Sequence, residues 1–177
     1  MRNRAILCLC LACGAMEAQN NLTSTAIQRY FNGVRRNLEA AADAMPAEKY
    51  GFRLTDGQMT FAEWLNHSTE RNYTDCATLQ SEPVPEKGKG PITFSSKVAV
   101  TQALKDSLAY CAKALDSIDD QKVISTPQMS YAFLHVVVHN NEIYGNLAGY
   151  LRSNGIVPPS TAARIKQQSE PKKPNQE

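Results

Sequence analysis

The stretch PQMSYAFLHVVVHNNEIYGNLAGYLRSNG, residues 127 to 155, sets the fold class. Its apolar and small residues return every three or four positions: Met129, Ala132, Val136, His139, Ile143, Leu147 and Tyr150. That is the period of a helix with one face turned inward. Pro127 suits a first helical turn, and Gly155 suits the residue that ends one. Within the stretch, Gly145 costs about 1 kcal/mol against alanine and hints at a close helix contact or a nearby site. Two histidines, His135 and His139, lie four apart, one turn from each other on the same side of the helix.

Three more segments show the same period. Residues 21 to 45 place Ile27, Tyr30, Val34, Leu38, Ala41 and Met45 on one stripe, and Pro46 ends the helix. A loop is expected over 47 to 59. A second helix begins after Thr60, whose pairing with Glu63 fits a capping box. Its stripe is Phe61, Trp64, Leu65, Ser68, Asn72, Cys76 and Leu79, and it stops before Ser81-Glu82-Pro83. An exposed loop leads from there past Gly88 and Gly90 to a third helix over 96 to 118, with Thr101, Leu104, Leu108, Cys111, Leu115 and Ile118 inward. Four long amphipathic helices without a strand pattern predict an all-α four-helix bundle spanning residues 22 to 160. Periodicity alone leaves both an up-down and a crossover topology open. From 161 to 177 the chain is polar, and a disordered tail is expected.

Composition fits a soluble globular chain, with 42% hydrophobic and 20% charged residues. A net charge of +2, with scattered basic residues, gives no footing for nucleic acid. Arg2 and Arg4 precede a short apolar run, residues 5 to 12, followed by small and polar residues. This is the pattern of a secretory signal peptide over residues 1 to 18, and the run is too short to span a bilayer. The mature chain is therefore expected outside the cytoplasm, periplasmic or extracellular, with no stable membrane span. Lipid anchoring at Cys13 is the alternative. Removal of the signal leaves Cys76 and Cys111, either a disulfide or two buried thiols.

All three histidines fall on predicted helices: His67 on the second, His135 and His139 on the fourth. Histidines at i and i+4 can share an ion, and helical bundles hold metals through side chains of facing helices. The competing reading is a buried histidine satisfied by hydrogen bonds, with Asn66, Asn140, Asn141 and Glu142 as partners.

HNNEIYGNLAGYLRSNGIVPPS, residues 139 to 160, resembles the last helix of the DinB/YfiT-like family, in a branch with exported members. TFAEWLNHSTERNY, residues 60 to 73, resembles its second helix, and AMPAEKYGFRLT, residues 44 to 55, the segment between the first two. The resemblance implies a four-helix bundle with up-down-down-up topology and a divalent metal, zinc or nickel, held by three histidines in a cleft. Two of those ligands fall on His67 and His139. The third falls on Ile143, which cannot bind a metal, so the expected ion is weakly held or absent. His135 and Glu142 are the residues that could supplement the pair. The branch also carries cysteines at the positions of Cys76 and Cys111, so a bridge between the second and third helices is expected. Some relatives are metal-dependent hydrolases or thiol transferases, and some associate as homodimers. The missing histidine favours instead a non-catalytic bundle that binds a small molecule or a partner.

Overall fold

A computed structural model describes residues 21 to 170. The expected signal peptide and Cys13 lie outside the described residues. Those described are all-helical: α1 (Leu22–Ala44), α2 (Phe61–Gln80), α3 (Lys97–Asp116), a one-turn α4 (Asp120–Val123), α5 (Pro127–Ser153) and α6 (Pro159–Ser169), with 3-10 turns at Ala47–Lys49 and Glu86–Gly88. None of these helices is long and apolar enough to cross a membrane.

Local chemistry sets the helix ends where the sequence placed them. Thr60 and Glu63 form the reciprocal capping box: Glu63 N donates to Thr60 Oγ1 at 3.2 Å, and Thr60 N donates to Glu63 Oε2 at 2.6 Å. Ser96 and Thr126 cap α3 and α5 through their hydroxyls. Gly155 follows α5 at φ 72°, a left-handed conformation that costs glycine little. The ends of α1 are satisfied by distant residues. Asp120 accepts from the Thr23 and Ser24 amides, and Lys97 Nζ donates to the carbonyls of Asp43 and Met45.

α1 packs against α3 and α5, and α2 packs against the same two helices. The core between them draws on every long helix, with Phe31, Leu38, Leu65, Leu104, Leu108, Phe133, Ile143 and Leu147 almost wholly buried. The α1 stripe differs by one residue from the sequence reading. Tyr30 is 53% exposed and Phe31 is 1% exposed. The inward series is therefore Ile27, Phe31, Val34, Leu38, which keeps the wholly apolar ring dry and the phenol wet.

Three segments read as loop or tail are more ordered than expected. Within 47 to 59, Tyr50 enters the core, donates to the Ala42 carbonyl and shares a 2.9 Å hydrogen bond with Thr101. The loop after α2 presses Gly88 onto Tyr73, and a β-carbon at Gly88 would overlap the Tyr73 side chain. The polar tail is helical through Ser169. Pro159 opens α6, and Ser160 exchanges hydrogen bonds with the Tyr144 hydroxyl, which ties α6 to α5. The sequence reading missed α6 because its residues are mostly exposed and bury no stripe.

Cys76 on α2 and Cys111 on α3 stand at disulfide-bonding distance, with Cα atoms 5.2 Å apart, as expected.

Candidate functional site: a histidine cluster between α2 and α5

Below the surface, α2 and α5 are joined by a buried polar layer. The Ser68 hydroxyl donates to Asn140 Oδ1 at 2.7 Å, Asn140 Nδ2 donates to Asn72 Oδ1 at 2.6 Å, and Asn72 Nδ2 donates to Ser107 Oγ at 3.0 Å. Buried amides and hydroxyls satisfied in this way fix the rotation of each helix about its axis. That rotation brings all three histidines to one side of the layer.

His67 and His139 have ring centroids 4.9 Å apart and meet edge to face at 86°. His135 stacks on His139 at 4.8 Å, and Tyr131 stacks on His135 at 4.9 Å. The result is a column of three rings along α5, with His67 of α2 set against its end. The nitrogens of His135 and His139 lie in nearly parallel planes, 14° apart, so their lone pairs do not converge on a common point. Accordingly, no group of three or more His, Cys, Asp or Glu side chains among the described residues is placed to hold a metal ion.

The two α5 histidines have different surroundings. His135 Nδ1 lies 2.7 Å from Asp75 Oδ2, and the other Asp75 oxygen accepts from Arg71 at 3.0 Å. A carboxylate paired with a guanidinium is an acceptor, so Nδ1 of His135 carries the proton and its Nε2 is left free. His139 has no such partner. Its Nε2 is buried and makes no hydrogen bond. Burial, then the neighbouring His67, His135 and Arg71, push its pKa down to about 4. His139 is therefore a neutral imidazole at neutral pH, the form that binds metals.

Of the supplementary ligands read from the sequence, His135 joins the cluster and Glu142 stays at its edge. Glu142 is largely exposed, and its Oε2 lies 3.9 Å from His139 Nδ1, beyond hydrogen-bond range. Ile143 is fully buried in the core. The asparagines that might have satisfied the ring are engaged elsewhere: Asn140 in the polar layer, and Asn66 with the Phe94 carbonyl at 2.7 Å. Asp75, Arg71 and Tyr131 were missed. Asp75 follows His67 by two helical turns, a signal that means something only once α2 is known to lie against α5.

The lowered pKa has a consequence for stability. An unfolded chain protonates His139 near pH 6.5, whereas the folded one resists down to about 4. Stability is therefore expected to fall as pH drops from about 6.5 toward 4. Denaturant titrations of the wild type and His139→Leu across that range check this, and the variant should show the shallower decline.

No family model, curated protein or solved structure matches the chain.

Proposed function

We propose that this chain is an exported, DinB/YfiT-like bundle whose His67–His139 pair takes up a divalent ion weakly and exchangeably, in a protein that binds rather than transforms its ligand. The long helices, in this reading, run up-down-down-up. Supporting contacts are Asn72 with Ser107 and Cys76 with Cys111, which advance together along α2 and α3. Ser68 with Asn140 and Asp75 with His135 advance oppositely on α2 and α5. Gln28 with Leu115 and Asp43 with Lys105 do the same on α1 and α3. Export is supported by the arginine-flanked apolar run near the start and by the paired cysteines.

The observation that carries the reading is the buried, partnerless Nε2 of His139 beside the His67 ring. A buried nitrogen without a partner is costly unless a ligand, water or ion satisfies it. The donor set fits a divalent ion in part, with two imidazoles from facing helices and Ile143 where a third would stand. Such an ion, zinc or nickel by its preference for imidazole, would supply an open Lewis-acid position. Two protein ligands suit exchange with solvent better than permanent residence.

A second reading, a hydrolase, is favoured by one feature. Asp75 orients His135 and leaves its Nε2 free as a general base. Thiol transfer fits less well, because export separates the chain from cytosolic thiol pools.

One calorimetric series tests both. Zinc and nickel are titrated into untagged wild type, His67→Ala and His139→Ala. Wild type is expected to bind one ion weakly, with each variant losing about tenfold or more in affinity. Wild type with no affinity for either ion, or variants equal to it, sinks the metal reading. Zinc-dependent ester hydrolysis by the same samples, lost in His135→Ala, would put the hydrolase ahead of the binder.

A further inference from the structure

His67 stands on the wall of a cleft of about 430 Å³, bordered by α2 and the loops before and after it. Arg53, Asp56, Glu63, Asn66, His67 and Glu70 line it. Its volume is in the range of small-molecule sites. Its charge is one-sided, with three carboxylates against one guanidinium, and none of these four groups has an ion-pair partner among the described residues. Glu63 spends one oxygen on the Thr60 amide and keeps the other.

A second, independent feature points to what the cleft accepts. Asn66 is 6% exposed, and its Nδ2 donates to the Phe94 carbonyl at 2.7 Å. A carbonyl can only accept, so the amide cannot be turned round, and Oδ1 must face the other way. That Oδ1 is buried and has no partner. Only two buried side-chain polar atoms among the described residues are left without one, this oxygen and His139 Nε2. Asn66 adjoins His67 in the chain, and His139 meets the His67 ring. Asn66 and His67 stand on the wall of this cleft, and His139 lies behind them against the His67 ring. An amide oxygen is satisfied by an N–H donor, and the carboxylates favour positive charge.

We infer that this cleft binds a small organic cation with N–H donors, of the primary ammonium or guanidinium class, with its donor on Asn66 Oδ1 and its charge against Glu70 and Asp56. The inference rests on reading the His67 side of the protein as a binding site, and it specifies the class of ligand. Arg53 on the same wall gives an anionic substituent somewhere to rest, so a zwitterion is accommodated, whereas a simple dicarboxylate is repelled.

Titration calorimetry on the full chain with agmatine tests it, with tetramethylammonium and succinate as controls. Agmatine carries positive charge and N–H donors, tetramethylammonium positive charge without donors, and succinate negative charge without donors. Agmatine is expected to bind in the micromolar to millimolar range. Tetramethylammonium should be weaker by about tenfold or more, and succinate should show no heat of binding. Asn66→Leu should lower agmatine affinity by about tenfold, and Glu70→Gln by a smaller factor. Glu70 is only half-buried, so its variant remains informative should Asn66→Leu fail to fold. Absence of agmatine binding, equal binding of tetramethylammonium, or unchanged affinity in Glu70→Gln overturns the inference. Zinc is titrated in parallel. Zinc binding without agmatine binding ends the ligand assignment alone, and agmatine binding without zinc binding ends the metal assignment alone.

Discussion

Removing the bridge between α2 and α3 is expected to destabilise the protein by about 4 kcal/mol, the entropy that a cross-link spanning 35 residues takes from the unfolded chain. The variant to use is Cys76→Ala with Cys111→Ala. Both positions are fully buried, and alanine leaves no polar atom there without a partner. For a chain of this size a loss of that order lowers the melting temperature by roughly 8–16 °C. The damage should extend beyond the sulfurs, because Cys111 Sγ packs 3.2 Å from the carbonyl oxygen of Asn72, and the Asn72 side chain anchors the polar layer through Asn140, the chain neighbour of His139. The double variant should therefore bind zinc less tightly than wild type even well below its melting temperature. A melting temperature unchanged by reductant in the wild type, with two titratable thiols in the unreduced unfolded chain, would show that the cysteines do not bridge.

The sequence carried the elements of this fold further than it carried their mutual placement. Thr60 with Glu63, Pro127 and Gly155 act on the chain within one turn, so their effect on helix ends is legible from neighbours alone. The seams of α2, α3 and α5 were legible for the same reason, because burial follows a 3.6-residue period. The α1 seam slipped at Tyr30 and Phe31, where two adjacent aromatics satisfy the period almost equally and only packing decides between them. Tyr50, Gly88 and α6 escaped because what orders them is remote: Thr101 for Tyr50, Tyr73 for Gly88 and Tyr144 for Ser160. The site divides in the same way. His67 and His139 were paired by the family resemblance, since the inward stripe read for α2 omits His67. That Asp75 would take Nδ1 of His135, and that Glu142 would turn to solvent, depends on a side-chain register that no local pattern encodes.

Ile143→His is expected to cost stability without metal and to regain it with zinc. Ile143 is fully buried one helical turn beyond His139, about 40° round the helix from it. An imidazole placed there loses apolar burial and brings two nitrogens to a position with no partner in view. The apo variant should be less stable by about 1–3 kcal/mol. If α2 and α5 hold His67 and His139 in the arrangement proposed here, the new ring completes a three-nitrogen set. Loss of even an outer partner of a ligand costs about 10–100-fold in metal affinity, so gain of a direct ligand should be worth at least that much. At zinc concentrations about 100-fold above the dissociation constant, binding returns about 2.7 kcal/mol, enough to offset most of the loss. Thermal melts of Ile143→His with zinc and with chelator should then differ by several degrees, while the wild type shifts little. The gain must also vanish in the His67→Ala background, because a site formed by α5 alone would owe nothing to the facing helix. An Ile143→His protein that zinc does not stabilise would mean that the two helices do not present residues 67, 139 and 143 to one point. The histidine cluster would then be a packed aromatic column, and the cleft beside it would have to find its ligand without a metal.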